Sequence, residues 1–297
     1  MDFPRFFVYL SLIIFSSWTY SAAVNQNMGI AFVHGTNDHR MDAEGKYWKK
    51  EFIAQLAEAL PNPSNYLIVH CDFSYHMWHE EAAGCLADQL LQFITDKGLT
   101  KLTVYTHSDG GNVIRWILSN PTYDSRFMTL TKNISQVIAI APSSGGTPLA
   151  DEAMNGNIFE ESLGWLLGYR TESVKQQRIG DMAIFNDEVL LGTAGRPSLV
   201  IPFRVVVGSD VIASPIAKAS YCNGYFLNAG LKITKAYLEK CADGFLGYTS
   251  QSVAGDIWFY DWQKTSNKTP LSHNQSRHSC FGFDQILRND LFVQGIA

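Results

Sequence analysis

The chain has 297 residues, of which 46% are hydrophobic and 17% charged, an ordinary globular balance and not that of a disordered chain. Its formal net charge of -5, with no basic cluster, argues against nucleic acid as the main partner. No Gly-rich phosphate loop or dinucleotide fingerprint stands at a strand–helix junction.

The first 23 residues read as a secretion signal. Arg5 gives a weak positive start, Phe6 to Phe15 is an apolar run too short to span a bilayer, and Ser21-Ala22-Ala23 offers small residues for cleavage. Residues 24–297 then form one domain, and the expected location is secreted or periplasmic; the competing reading is an uncleaved anchor. Five cysteines suit an exported chain with two disulfides. Cys71 and Cys85 flank one compact segment and Cys222 and Cys241 another, which leaves Cys280 over, although spacing does not fix the pairing.

Met28 to His34 predicts a buried strand ending in His34-Gly35-Thr36-Asn37. Phe52, Ile53, Leu56 and Leu60 lie on one face of a helix over 48–60, stopped by Pro61 and Pro63. Tyr66 to His70 is the next strand, and 82–94 an amphipathic helix with Gly98 just past its end. Lys101 to Tyr105 is a short β-branched strand, and the run from Gly111 to Ser119 is helical, closed by Asn120-Pro121. Strands over 136–141, 203–207 and 256–260 follow. This alternation predicts an α/β fold: a mostly parallel central sheet with helices on both faces. The gap from about 150 to 197 is too long for a plain loop and predicts a helical, lid-like insertion. Its apolar stretch, with Ile158-Phe159 and Leu163 to Tyr169, suits transient contact with a lipid interface as well as packing on the core.

Between the strand at 101–105 and its helix stands Thr106-His107-Ser108-Asp109-Gly110. A serine on a tight strand-to-helix turn presents its hydroxyl to base and substrate, and the helix start beneath it supplies N–H groups and positive dipole for an oxyanion. His34-Gly35, Ser108 and Pro142-Ser143-Ser144-Gly145-Gly146 all fall at strand carboxyl ends, where such sheets hold their reactive groups. A serine hydroxyl needs a base, normally a histidine oriented by a carboxylate. With the order serine, acid, histidine, the base is His278, in Arg277-His278-Ser279-Cys280, with His273 as the alternative. The acid is Asp243, in a turn running into Gly244-Phe245-Leu246, with Asp210 as the alternative after the strand at 203–207. The backbone amides of Thr36 and Asp109 are the expected oxyanion donors, and Gly35 lets the first loop approach closely.

These motifs, Val33-His34-Gly35-Thr36, Thr106 to Val113, Gly145-Gly146-Thr147-Pro148, Asp243-Gly244-Phe245-Leu246 and His278, resemble an α/β-hydrolase of the secreted lipase/esterase type, close to the bacterial triacylglycerol lipases. The family usually has Gly-x-Ser-x-Gly; here Thr106 replaces the first glycine. The resemblance implies ester hydrolysis through an acyl-enzyme on a lipid or other ester substrate, without redox or organic cofactor. Phospholipase or thioesterase action on the same fold, and an inactive lipid-binding form of it, are the competing functions. His70, Cys71, Asp72, His76, His79 and Glu80 are dense in ligand types but lack ligand spacing on one element, so they read as a polar loop beside the site mouth and not a metal site. Asn133, Asn267 and Asn274 open glycosylation sequons.

Overall fold

The computed structural model describes residues 27–155 and 170–296. The expected leader, and the apolar centre of the expected insertion, lie outside the described residues.

Six parallel strands form the main sheet: β1 (Met28–Val33), β3 (Tyr66–Ile68), β5 (Lys101–His107), β6 (Ile134–Ile140), β7 (Phe203–Val207) and β8 (Asp256–Tyr260). Their spatial order is β3-β1-β5-β6-β7-β8. A small antiparallel ribbon pairs β2 (Asn37–Asp38) with β4 (Asp72–Phe73) beside the ends of β1 and β3; nothing in the periodicity pointed to it.

The strands are apolar on both faces because both faces are covered. Ile30, Phe32, Tyr105, Ile138, Ile140 and Val206 point to one side, where they meet α1 (Lys50–Ala57) and the carboxyl-terminal helix that starts at Phe283. Ala31, Val33, Val104, Val137, Ala139, Val205 and Val207 point to the other, against α2 (Cys85–Lys97), α3 (Gly110–Ser119) and α4 (Ser125–Asn133). Phe32 anchors the first layer, with its ring 5.4 Å from Trp48 and stacked at 5.6 Å on Tyr105. The expected helix over 82–94 begins instead as a π-type turn over Glu80–Gly84 and runs on as α2.

Where the insertion is expected, the described residues carry α5 (Pro148–Asn155), α6 (Glu172–Gln176) and α7 (Ile179–Glu188), with irregular backbone over 189–197. Later come α8 (Tyr225–Thr234) and α9 (Tyr248–Ser252).

Cys71 pairs with Cys85, as their flanking positions suggest. Cys222 pairs with Cys280, and Cys241 is free and exposed. The 222–241 pairing fails because the segment at 222–223 packs on the loop at 274–275. There Gln275 Nε2 donates to the Cys222 carbonyl (3.1 Å) and Asn223 Nδ2 to the Asn274 carbonyl (3.1 Å). That brings the Cys222 and Cys280 Cα atoms to 6.0 Å, within bridging range.

Candidate active site

Ser108 follows β5 directly and holds φ at +55°, a region that a serine rarely occupies. Its N–H still donates to the Ile140 carbonyl (3.1 Å), so the strand ladder runs up to the turn. Glycines make the turn possible. A Cβ on Gly110 would lie 2.1 Å from the His34 carbonyl oxygen, and one on Gly35 would lie 2.8 Å from the Ser108 Cβ. The turn is thus pressed between the ends of β1 and β6, and α3 starts immediately after it.

Thr106 takes its place in β5 without preventing this turn. Its hydroxyl is buried and has no hydrogen-bond partner, and a lone buried hydroxyl costs about 1–3 kcal/mol. Thr106→Val keeps the shape and removes that hydroxyl. It should stabilise the fold by about 1 kcal/mol, read as a higher urea midpoint with an unchanged slope.

Asp243 is fully buried in the turn before α9. Its Oδ1 accepts from the amides of Phe245 (2.8 Å) and Leu246 (2.7 Å). Its Oδ2 lies 2.8 Å from His273 Nδ1, and the His273 N–H donates to the Asp243 carbonyl (2.8 Å). Two contacts, one through the ring and one through the backbone, therefore fix the imidazole against the carboxylate. His273, Ser108, Thr36, Tyr47, Asn274 and Arg277 open onto one pocket of about 260 Å³.

The structure brings His273, not His278, to this place. His278 is buried with its Nε2 unpartnered and lies outside the pocket lining. Burial, then the nearby Arg277 and Lys49 cations, hold its pKa down to about 3. Asp210 is not at the site either. It is partly exposed and ion-paired with Lys235 (2.6 Å) and Lys232 (3.2 Å). Partial burial pushes its carboxyl up, but those lysines and the Val211 amide outweigh burial and leave it lowered.

His107, the neighbour of the serine, is a bracket that the sequence did not announce. Tyr47 accepts from the Gly35 amide (2.8 Å) and lies 2.5 Å from His107 Nδ1. His107 Nε2 lies 2.9 Å from the His273 carbonyl. With Tyr47 O–H donating to Nδ1 and Nε2–H donating to the carbonyl, a neutral His107 links the first loop to the histidine loop. Burial, then the neighbouring His273 and Arg277, hold its pKa well below the ordinary histidine value.

Asp109 is tied to α6, and Thr36 to Gln177 just past its end. Thr36 Oγ1 accepts from Gln177 Nε2 (2.8 Å). The buried Asp109 carboxylate accepts from Ser173 Oγ (2.8 Å), Gln176 Nε2 (2.8 Å) and Asn112 Nδ2 (2.9 Å). Burial pushes that carboxyl up, and these donors pull the other way without cancelling it. The Ser173, Gln176 and Gln177 side chains are buried, so α6 and its carboxyl-terminal end turn a polar face into the site.

The histidine-rich loop is spent on structure. Cys71 is in a disulfide, His76 pairs with Glu172 (2.9 Å), and His79 caps the turn that precedes α2. Among the described residues no three metal-ligating side chains converge. Asn274, though a sequon, is only 8% exposed, with its Oδ1 accepting from Arg277 (3.0 Å).

Six parallel strands in this order, a serine at positive φ after β5, and an Asp–His pair after β7 and β8 decide the architecture. This is the α/β-hydrolase fold. The mature form of the Bacillus licheniformis lipase BlEst2 is similar over 89% of this chain and 91% of its own, with a TM-score of 0.58 and 17% identity. The metagenomic carboxyl esterase MGS0156 is similar over 91% of this chain and 76% of its own, at 0.54 and 13%. Lipase 1 from Pelosinus fermentans is similar over 89% and 98%, at 0.52 and 12%. No protein-family model and no curated protein matches the sequence.

Proposed function

We propose that this α/β-hydrolase chain is a secreted serine hydrolase of carboxylic esters, acting on lipid or another acyl ester, with Ser108 as nucleophile, His273 as base and Asp243 as acid. The observation that carries the reading is the His273 Nδ1–Asp243 Oδ2 contact of 2.8 Å in the pocket that Ser108 enters at positive φ. Lipases and esterases of the same fold support it, and two disulfides suit an oxidising compartment.

His273 Nε2 takes the Ser108 proton as Oγ bonds to the ester carbonyl carbon, and the carbonyl electron pair moves onto oxygen. The amides of Thr36 and Asp109 stabilise that oxyanion; losing one such donor costs roughly 10²–10³ in rate. The tetrahedral carbon expels the alcohol, which leaves with the proton from His273. Water, deprotonated by His273, then attacks the acyl-enzyme and frees the acid. Asp243 keeps Nδ1 protonated throughout and offsets the imidazolium charge.

The test is covalent labelling with a fluorophosphonate. Wild-type protein and an exposed-serine control, Ser64→Ala, should label alike, while Ser108→Ala should not label. Equal labelling of all three overturns the reading.

A further inference from the structure

The lining of the site pocket holds one permanent cation, Arg277, and no aspartate or glutamate. Arg277 is half-buried, and its guanidinium lies over the Tyr47 ring, 4.1 Å from the centroid. Its hydrogen bonds go to neutral oxygens: Nε (3.3 Å) and Nη2 (3.0 Å) to Asn274 Oδ1, and Nη1 to the Tyr47 carbonyl. Among the described residues no carboxylate is ion-paired with it. Asp42, on the neighbouring loop, is taken by His39 (2.7 Å) and lies near Lys46 (3.8 Å). Asp243 is occupied by His273 and two backbone amides.

A guanidinium held at a cavity wall on neutral acceptors, with no carboxylate in direct contact, is a ready receptor for an incoming anion. Arg115 shows the purely structural alternative in the same protein. It is buried on neutral acceptors, the Leu191 carbonyl (2.7 Å) and Asn186 Oδ1 (2.7 Å), but those partners knit α3 to α7, and Arg115 lines no described pocket. Arg277 instead opens onto the cavity that holds Ser108. Its planar fork suits a phosphate or carboxylate, which accepts two parallel N–H bonds.

We infer that the ester substrate carries an anionic oxygen group, phosphate or carboxylate, close to the scissile bond, and that Arg277 receives it. This rests on the ester-hydrolase reading and narrows its substrate class. At about 260 Å³ the pocket has room for a charged group beside the ester.

The experiment compares three octanoyl esters: octanoyl glycerol, octanoyl glycerol phosphate and octanoyl glycerate. Wild-type protein should show kcat/KM on at least one charged ester about tenfold or more above the neutral one. Arg277→Gln should abolish that preference and Arg277→Lys should restore part of it. Whichever charged ester leads identifies the source of the anion, a phosphorylated or a carboxylated lipid. Binding is read separately by calorimetry on Ser108→Ala, where octyl phosphate should bind and octanol should not, and where adding Arg277→Gln should abolish the phosphate binding. Hydrolysis without charge preference, or Arg277→Gln lowering all three substrates equally, overturns the inference and leaves the hydrolase reading standing. Binding of octyl phosphate to a protein that hydrolyses none of the esters does the reverse.

Discussion

Replacing His273 with alanine is expected to lower kcat on an activated ester by about 10⁴–10⁶-fold. His278→Ala should stay within about threefold of wild type when both are measured well below their unfolding midpoints. The two histidines are five residues apart on one loop, yet only His273 faces the buried Asp243 carboxylate. Asp243→Asn should cost about 10⁴-fold, because an amide there favours the wrong tautomer of the ring. The measurement is steady-state kinetics on a p-nitrophenyl ester, with circular dichroism to show that each variant is folded. If His278→Ala were the inactive one and His273→Ala active, the assignment would fall.

Acid is expected to unfold this protein at an unusually high pH. His34, His107 and His278 are all buried and neutral. Burial is the first cause in each, followed by His39 for His34, His273 for His107 and Arg277 for His278. His34 and His278 are held down to about 3. In the unfolded chain each returns to about 6.5, so the unfolded state binds more protons. The stability these groups contribute is complete above about pH 6.5 and is lost as the pH falls toward about 3. Each contributes about 1.4 kcal/mol per pH unit in that window. Together His34 and His278 remove about 4 kcal/mol between pH 7 and pH 5, a large part of the stability of many domains, and His107 acts in the same direction. Asp109 and Asp261, whose carboxyls burial pushes up, take protons in the folded state and offset part of the loss. The surface carboxylates held down by Arg126, such as Glu80 and Asp124, contribute only nearer pH 4. Urea midpoints between pH 7 and 5 should therefore fall steeply from about 6.5, and His278→Gln should make the slope visibly shallower. A flat profile down to pH 5 would contradict this account.

Much of the fold was legible because the strands carry their burial in their own residues. Met28–Val33, Phe203–Val207 and Asp256–Tyr260 form close to the expected bounds. Ser108 was legible because the turn needs small residues where Gly110 and Gly111 stand, and Thr106 in place of glycine changed nothing that the turn depends on. The choice of histidine was not legible. Neither His273 nor His278 sits in a periodic element, and what separates them is a backbone bond from His273 to Asp243, thirty residues away. Cys280 was misread for a similar reason: loop length favours neither partner strongly, and packing at 222–223 against 274–275 decides. Nothing in the sequence set Arg277 and Asn274 apart from their neighbours, and only the pocket shows their place beside Ser108. The polar residues in and just past α6 gave no sign that Ser173, Gln176 and Gln177 brace Thr36 and Asp109, since a polar helix face ordinarily meets water.

The bridge between Cys222 and Cys280 joins residues 58 positions apart in the sequence and closes them into a ring. Asp243 and His273 lie inside that ring and Ser108 lies outside it. The crosslink therefore ties the segment that carries both groups to the start of the last helix, and it limits how far that segment can wander once the chain unfolds.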